Sequence, residues 1–184
     1  MHNAPSSPLP ATAPAAGQNA DALFAAVYDR LKAMASRRLA ARGRTAALDT
    51  TTLVHELYLR VNAQGDLTFS HPSQFFTYAA RAMRHVLADR ARERLSQRAG
   101  GGWIQITLTG SDDRLAIDGA EQVIALDAAL ERLEAIDARA ARVVELRYFA
   151  GLTSEQAAEA LGIGRRTAQR DWDFAHAFLK TDME

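Results

Sequence analysis

The chain has 184 residues, enough for one ordinary domain or two small ones. Hydrophobic residues make up 48% and charged residues 24%, the balance of a globular protein, and the absence of cysteine excludes disulfide frameworks, thiolate zinc sites and cysteine nucleophiles. The formal net charge is +0, yet the charge is sorted by region, with arginines early and most acids after residue 111.

Residues 1–18 carry four of the five prolines together with Ala, Ser and Thr, a composition that predicts a disordered tail. It lacks the basic-then-apolar order of a secretory leader, and no apolar run approaches ~18 residues, so a cytoplasmic protein without membrane spans is expected. From Asn19, Leu23, Val27, Leu31, Met34 and Leu39 recur at helical spacing, with the basic group Arg37, Arg38, Arg42 and Arg44 at the end, where Gly43 is the expected stop.

A second helix is predicted from Asp49 to Ala63, with Leu53, Leu57 and Val61 on one stripe. Asn62 to Ser73, with Gly65 and Pro72, reads as a loop. A longer helix follows from Gln74 to Gln97. Its apolar residues (Phe75, Phe76, Tyr78, Met83, Val86, Leu87) crowd the first half, and arginines fill the second, so it is expected to pack at one end and present charge at the other. Between Arg81 and Arg98 lie six arginines, opposed only by Asp89 and Glu93.

Gly100 to Gly102 break the pattern. Trp103 to Leu108 reads as a short strand or extended linker, and Thr109 to Gly119 as further linker. From Glu121 the helical period resumes through Val123, Leu126, Leu130 and Leu133, breaks near Ile136 and Asp137, and returns through Val143, Val144, Leu146 and Phe149 up to Gly151. Ser154 to Leu161 and Arg165 to Lys180 are two further helices around Gly162-Ile-Gly164.

The most specific local signal is the stretch from Thr153 to Arg170. Two helices crossing over a tight turn need a small residue where their backbones approach, supplied by Ala158, and a residue tolerant of positive φ, supplied four positions later by Gly162. Leu161 and Ile163 plug the corner, and Thr153 or Ser154 caps the first helix. The second helix opens with Arg165, Arg166, Thr167, Gln169 and Arg170, side chains that bond base edges and phosphates in a major groove. Trp172 and Phe178 fall on its core face.

With this helix-turn-helix at its C-terminal end and Leu53-Val-His-Glu-Leu-Tyr-Leu-Arg-Val61 in its first half, the chain resembles the extracytoplasmic-function (ECF) sigma factors of the sigma-70 family. The resemblance implies that Asp49, Thr50, Thr51, Thr52 and Glu56 belong to a helix that binds core RNA polymerase. Ser73 to Asp89 resembles the helix that melts and reads the promoter −10 element, and Arg165 to Arg170 the reader of the −35 element. Opening a duplex requires aromatic faces for unstacked bases and cations for the backbone. Phe69, Tyr78, Arg81, Arg84 and His85 offer these, whereas Phe75 and Phe76 read as core. Phe69, on a polar loop, is the better candidate for a base pocket.

One departure is informative. Relatives carry acids immediately before the Leu-Val pair, where they grip basic residues of the polymerase clamp; here only Asp49 remains, followed by three threonines. A phosphate brings about −1.5 to −2 charges and favours a helix N-terminus. Phosphorylation of Thr51, with Thr52 second, by a Ser/Thr protein kinase is therefore the expected switch, and some subfamilies lacking these acids are similar in being paired with such kinases. The competing reading is that the threonines only cap the helix.

His55-Glu56 opens like a zinc-protease helix, but Leu59 stands where the second ligand is needed. No metal, cofactor, small-molecule substrate or catalytic constellation is expected, and thus no enzyme. The expected architecture is all-α: a tail at 1–18, a polymerase- and −10-binding bundle at 19–98, a flexible linker at 99–120 and a helix-turn-helix domain at 121–182. An autonomous helix-turn-helix regulator, dimerising through its N-terminal bundle, and a helical adaptor that binds no DNA remain open alternatives at this point, as does the arrangement of the two domains in the free chain.

Overall fold

In a computed structural model, residues 18–19, 50–63, 68–96, 105–107 and 116–183 are described. The predicted tail apart from Gln18, the predicted first helix after Asn19, Asp49 and most of the linker lie outside them. The described residues form an all-α fold of six helices, α1 (Thr50–Asn62), α2 (Pro72–Ser96), α3 (Ala120–Ile136), α4 (Ala138–Tyr148), α5 (Ser154–Leu161) and α6 (Arg165–Met183). Two short antiparallel ladders accompany them. In one, β1 (Gln18–Asn19) pairs with β2 (Thr68–Phe69), with Gln18 opposite Phe69; in the other, β3 (Gln105–Thr107) pairs with β4 (Ala116–Asp118), with Ile106 opposite Ile117.

Local chemistry accounts for the helix ends. Pro72 opens α2, where its missing N–H costs nothing, and the Ser70 amide donates to Gln74 Oε1 at 3.0 Å just ahead of it. Asp137 separates α3 from α4 and caps the second: its carboxylate accepts from the amides of Arg139 and Ala140, both at 3.0 Å. The helix dipoles of these short segments are thereby satisfied at the sharp corner the sequence placed near Ile136.

Helix α2 is the central element and packs on α1, α3, α4 and α5. Its buried stripe begins with Phe75 and Phe76 and continues through Ala79, Ala80, Met83, Leu87 and Ala88 to Ala91. Its small alanines let neighbouring helices approach closely, so Arg84 is buried on carboxylates of α3 and α4, whereas Arg90 and Arg92 pair with Glu56 and Asp127 and still keep 37% and 51% of their side-chain exposure. Around it, α3, α4 and α6 pack pairwise, with Leu126, Leu130, Leu133, Val143, Val144, Leu146, Trp172, Ala175 and Leu179 in a core continuous with that of α1 and α2.

Candidate nucleic-acid interface

The helix-turn-helix is built from the residues its sequence pattern singled out. Thr153 caps α5 by accepting from the Gln156 amide at 3.2 Å, while Gln156 Oε1 accepts from the Thr153 amide at 3.1 Å, a reciprocal capping box. Gly162 ends α5 in the left-handed region at φ 63, and the Ile163 amide donates back to the Ala158 carbonyl at 3.0 Å. Ala158 is buried, and Ile163 and Leu161 pack against the core from partly buried positions.

The second helix of this unit, α6, is held by its far side. Arg139 of α4 forms a two-pronged pair with Asp171 at 2.5 and 3.1 Å, and Arg132 of α3 pairs with Asp182. The Arg147 guanidinium lies 3.6 Å from the centre of the Trp172 ring, a cation–π contact between α4 and α6. With that face anchored, the opposite face at the start of α6 is left open. Arg165, Arg166, Gln169, Arg170 and Asp173 line an open groove of about 610 Å³. The side chains of Arg165 and Arg170 are 76% and 74% exposed, Arg166 and Gln169 are exposed, and Thr167 is half-buried. Arg165 reaches Glu155 at 2.9 Å and Gln169 donates to Asp173 at 2.8 Å, contacts at the surface that water screens. Four donor side chains at an exposed helix N-terminus can meet base edges and phosphates together.

The candidates on and near α2 are placed differently. Phe69 is only 9% exposed, its ring centre 5.5 Å from that of Phe75 and 5.9 Å from that of Tyr78. Arg84 is 1% exposed; its Nε donates to Asp127 Oδ1 at 2.7 Å, its Nη1 to Glu145 Oε1 at 2.7 Å and its Nη2 to the Asp127 carbonyl at 3.3 Å. Arg81 grips Glu134 with both terminal nitrogens at 2.8 and 3.0 Å. Arg92 adds a contact to Asp127 Oδ2 at 2.6 Å. His85 is half-buried beside them, and burial, reinforced by the Arg84 charge, holds its imidazole below the usual histidine range. Burial likewise pushes the Tyr78 phenol up. Phe69, Tyr78, Arg81, Arg84 and His85 are thus brought together along one stretch of the fold, with Arg81 and Arg84 turned toward α3 and α4.

On α1 the sequence candidates divide. Asp49 lies outside the described residues, Thr50 to Thr52 form the first turn, which contains no acid, and Glu56 pairs with Arg90 of α2, whose Nε donates to its Oε2 at 3.0 Å. Leu59, met in the sequence only as the residue standing where a second zinc ligand is needed, lies opposite the buried stripe; at 52% exposure it stands with His55 and Ala63 on the open side of α1. Asp127, Glu134 and Glu145 were also missed. The signal for two of them was present, since Asp127 and Glu145 interrupt apolar runs beside Leu126 and between Val144 and Leu146, where a buried carboxylate requires a partner.

Among the described residues, no group of three or more His, Asp or Glu side chains could hold a metal ion, and no helix is long and apolar enough to cross a membrane. No curated protein sequence matches the chain. A sequence profile of the family described as ECF sigma factor matches residues 15–184.

Proposed function

Because this chain belongs to the ECF sigma factor family, we propose that it directs core RNA polymerase to specific promoters through two DNA surfaces, and that threonine phosphorylation at the start of α1 switches it on. A role in transcription initiation, with core polymerase and promoter DNA as partners, comes with the family. In the finer reading, the N-terminal turn of α1 docks on the polymerase clamp, the Phe69, Tyr78, Arg81, Arg84 and His85 stretch melts and reads the −10 element, and Arg165, Arg166, Thr167, Gln169 and Arg170 read the −35 element. Binding both elements from one chain raises the effective concentration of each contact, so neither must be tight alone.

The observation that carries the switch is the composition of the first turn of α1. It holds Thr50, Thr51 and Thr52 and no acid. Helix N-termini leave amide groups unpaired and favour negative charge, so a phosphate on Thr51 or Thr52 supplies the charge that a basic polymerase surface needs. The test compares binding of the full chain to core polymerase before and after treatment with a Ser/Thr kinase, followed by run-off transcription. Kinase treatment is expected to raise affinity and promoter-specific initiation together. Unchanged affinity rejects the switch, as does an equal gain in a kinase-treated Thr51→Ala, Thr52→Ala variant; tight promoter binding that ignores polymerase rejects the sigma mechanism itself.

A further inference from the structure

One acid stands among the donors of the α6 groove. Asp173 lines it together with Arg165, Arg166, Gln169 and Arg170, and its charge opposes any phosphate that enters. Its position on the helix is regular. Arg165, Gln169 and Asp173 follow one another at four-residue steps, so they form a single row along α6. Gln169 Nε2 donates to Asp173 Oδ1 at 2.8 Å, and both residues are exposed.

An exposed pair of this kind, one turn apart, adds little to the stability of a helix. It does fix an orientation. A carboxylate accepts hydrogen bonds and donates none, so the Gln169 amide can face Asp173 only with its nitrogen. One N–H is thereby committed. The carbonyl oxygen and the second N–H remain side by side in a set order, one acceptor and one donor. Among the base edges of a major groove, adenine alone offers the complement, its N6 amine beside the N7 acceptor. Guanine offers two acceptors, thymine an acceptor beside its methyl group, and cytosine a lone donor.

We propose that Asp173 is a positioning residue that locks the Gln169 amide in one orientation and so makes Gln169 a reader of adenine at one base pair of the −35 element. This rests on the reading of α6 as the −35 helix. Released from Asp173, the amide turns about its last torsion, which is soft, and can offer its NH2 group to guanine or thymine acceptors as well. The acid weakens the attraction of the groove for phosphate and sharpens its choice of base, the pattern expected where specificity needs a repulsive element. That accounts for a carboxylate in a groove otherwise built of donors.

The experiment uses the full chain with core polymerase, kinase-treated and untreated, on duplexes randomised across the −35 element. Bound duplexes are sequenced, and affinities are then measured for all four base pairs at each selected position. The parent is expected to prefer adenine over guanine at one pair by about tenfold, the size of a bidentate base contact. Gln169→Ala should lose that preference and keep the rest of the motif. Asp173→Ala should lose the same preference at the same pair, and Asp173→Glu, which retains the acceptor, should restore part of it. The melting temperature of Asp173→Ala should move by about one degree or less, so the change in base preference does not come from unfolding. If Asp173→Ala keeps the full adenine preference, or Gln169→Ala loses no base or a base other than adenine, the positioning role is overturned and the −35 reading stands. Loss of a cytosine preference in Asp173→Ala, at a pair that Gln169→Ala leaves intact, also overturns it, because the carboxylate then reads the base itself. If the parent selects no sequence in either form, the −35 reading fails and the proposal with it.

Discussion

The Arg84 guanidinium donates to the Asp127 carboxylate at 2.7 Å across 43 residues of sequence, and the two side chains retain only 1% and 4% of their exposure. This pair ties the central helix of one half of the chain to the first helix of the other. Glu145 completes it from α4.

Loss of one partner from a buried ion pair costs about 3–5 kcal/mol where the remaining charge stays buried. Here Arg84 keeps Glu145 when Asp127 is lost, and charge left without its partner regains water if α2 separates from α3 and α4, so the cost is expected as lost coupling between the two halves. In a Trp103→Phe background, unfolding by urea followed through Trp172 on α6 and through circular dichroism should coincide for the parent chain and separate for Asp127→Ala. Coincident transitions in the variant would show that the halves fold as one unit without the pair.

His85 makes the stability of the fold depend on pH. Its imidazole is half-buried and faces Arg84, Arg60 and Arg81, with Asp127 opposing them, and its pKa lies below the ordinary value of about 6.5. A histidine depressed in this way binds fewer protons folded than unfolded, so its contribution is complete above that value and is lost as the pH falls through the folded pKa. Glu145, pushed up by burial against the pull of Arg84, works in the opposite sense. The melting temperature of the parent chain should therefore fall more steeply between about pH 7.5 and 5.5 than that of His85→Gln; since Glu145 is common to both, the difference isolates the imidazole. Parallel curves would contradict the assignment.

Gly162→Ala tests the turn. An added Cβ meets nothing within 4 Å, so space is not the constraint; the φ of +63 is. The expected loss is about 1–2 kcal/mol from backbone strain alone, with Gly162→Asn less affected. Thr153→Ala, which removes the α5 cap, should cost about 1 kcal/mol, and Thr153→Ser should restore most of it. Denaturant midpoints decide both, and an Ala at 162 as stable as Gly would refute the strain.

Arg166→Ala and Arg170→Ala should leave stability unchanged, because both side chains are exposed. If each contacts a phosphate, promoter affinity falls and the slope of log affinity against log salt shrinks by about one per residue. If either instead reads a base, the loss depends on promoter sequence and the slope holds. No loss on any promoter would remove that residue from the interface.

The number and order of the described helices, their ends and the helix-turn-helix were legible in the chain because they depend on neighbours in sequence. Apolar residues three and four apart select a helix, Asp137 and Thr153 cap the next ones, and Gly162 alone tolerates the turn between α5 and α6. The exposed basic face at Arg165 to Arg170 was legible for the same reason, since its composition matches no core. The destination of the α2 arginines was not. Periodicity assigns Arg84 to a helix face, but not to the helix that covers that face, and an arginine run looks alike whether it meets water, DNA or carboxylates. Only the packing of α3 and α4 on α2 brought Asp127 and Glu145 to Arg84, because partners 43 and 61 residues away are chosen by how whole helices fit together.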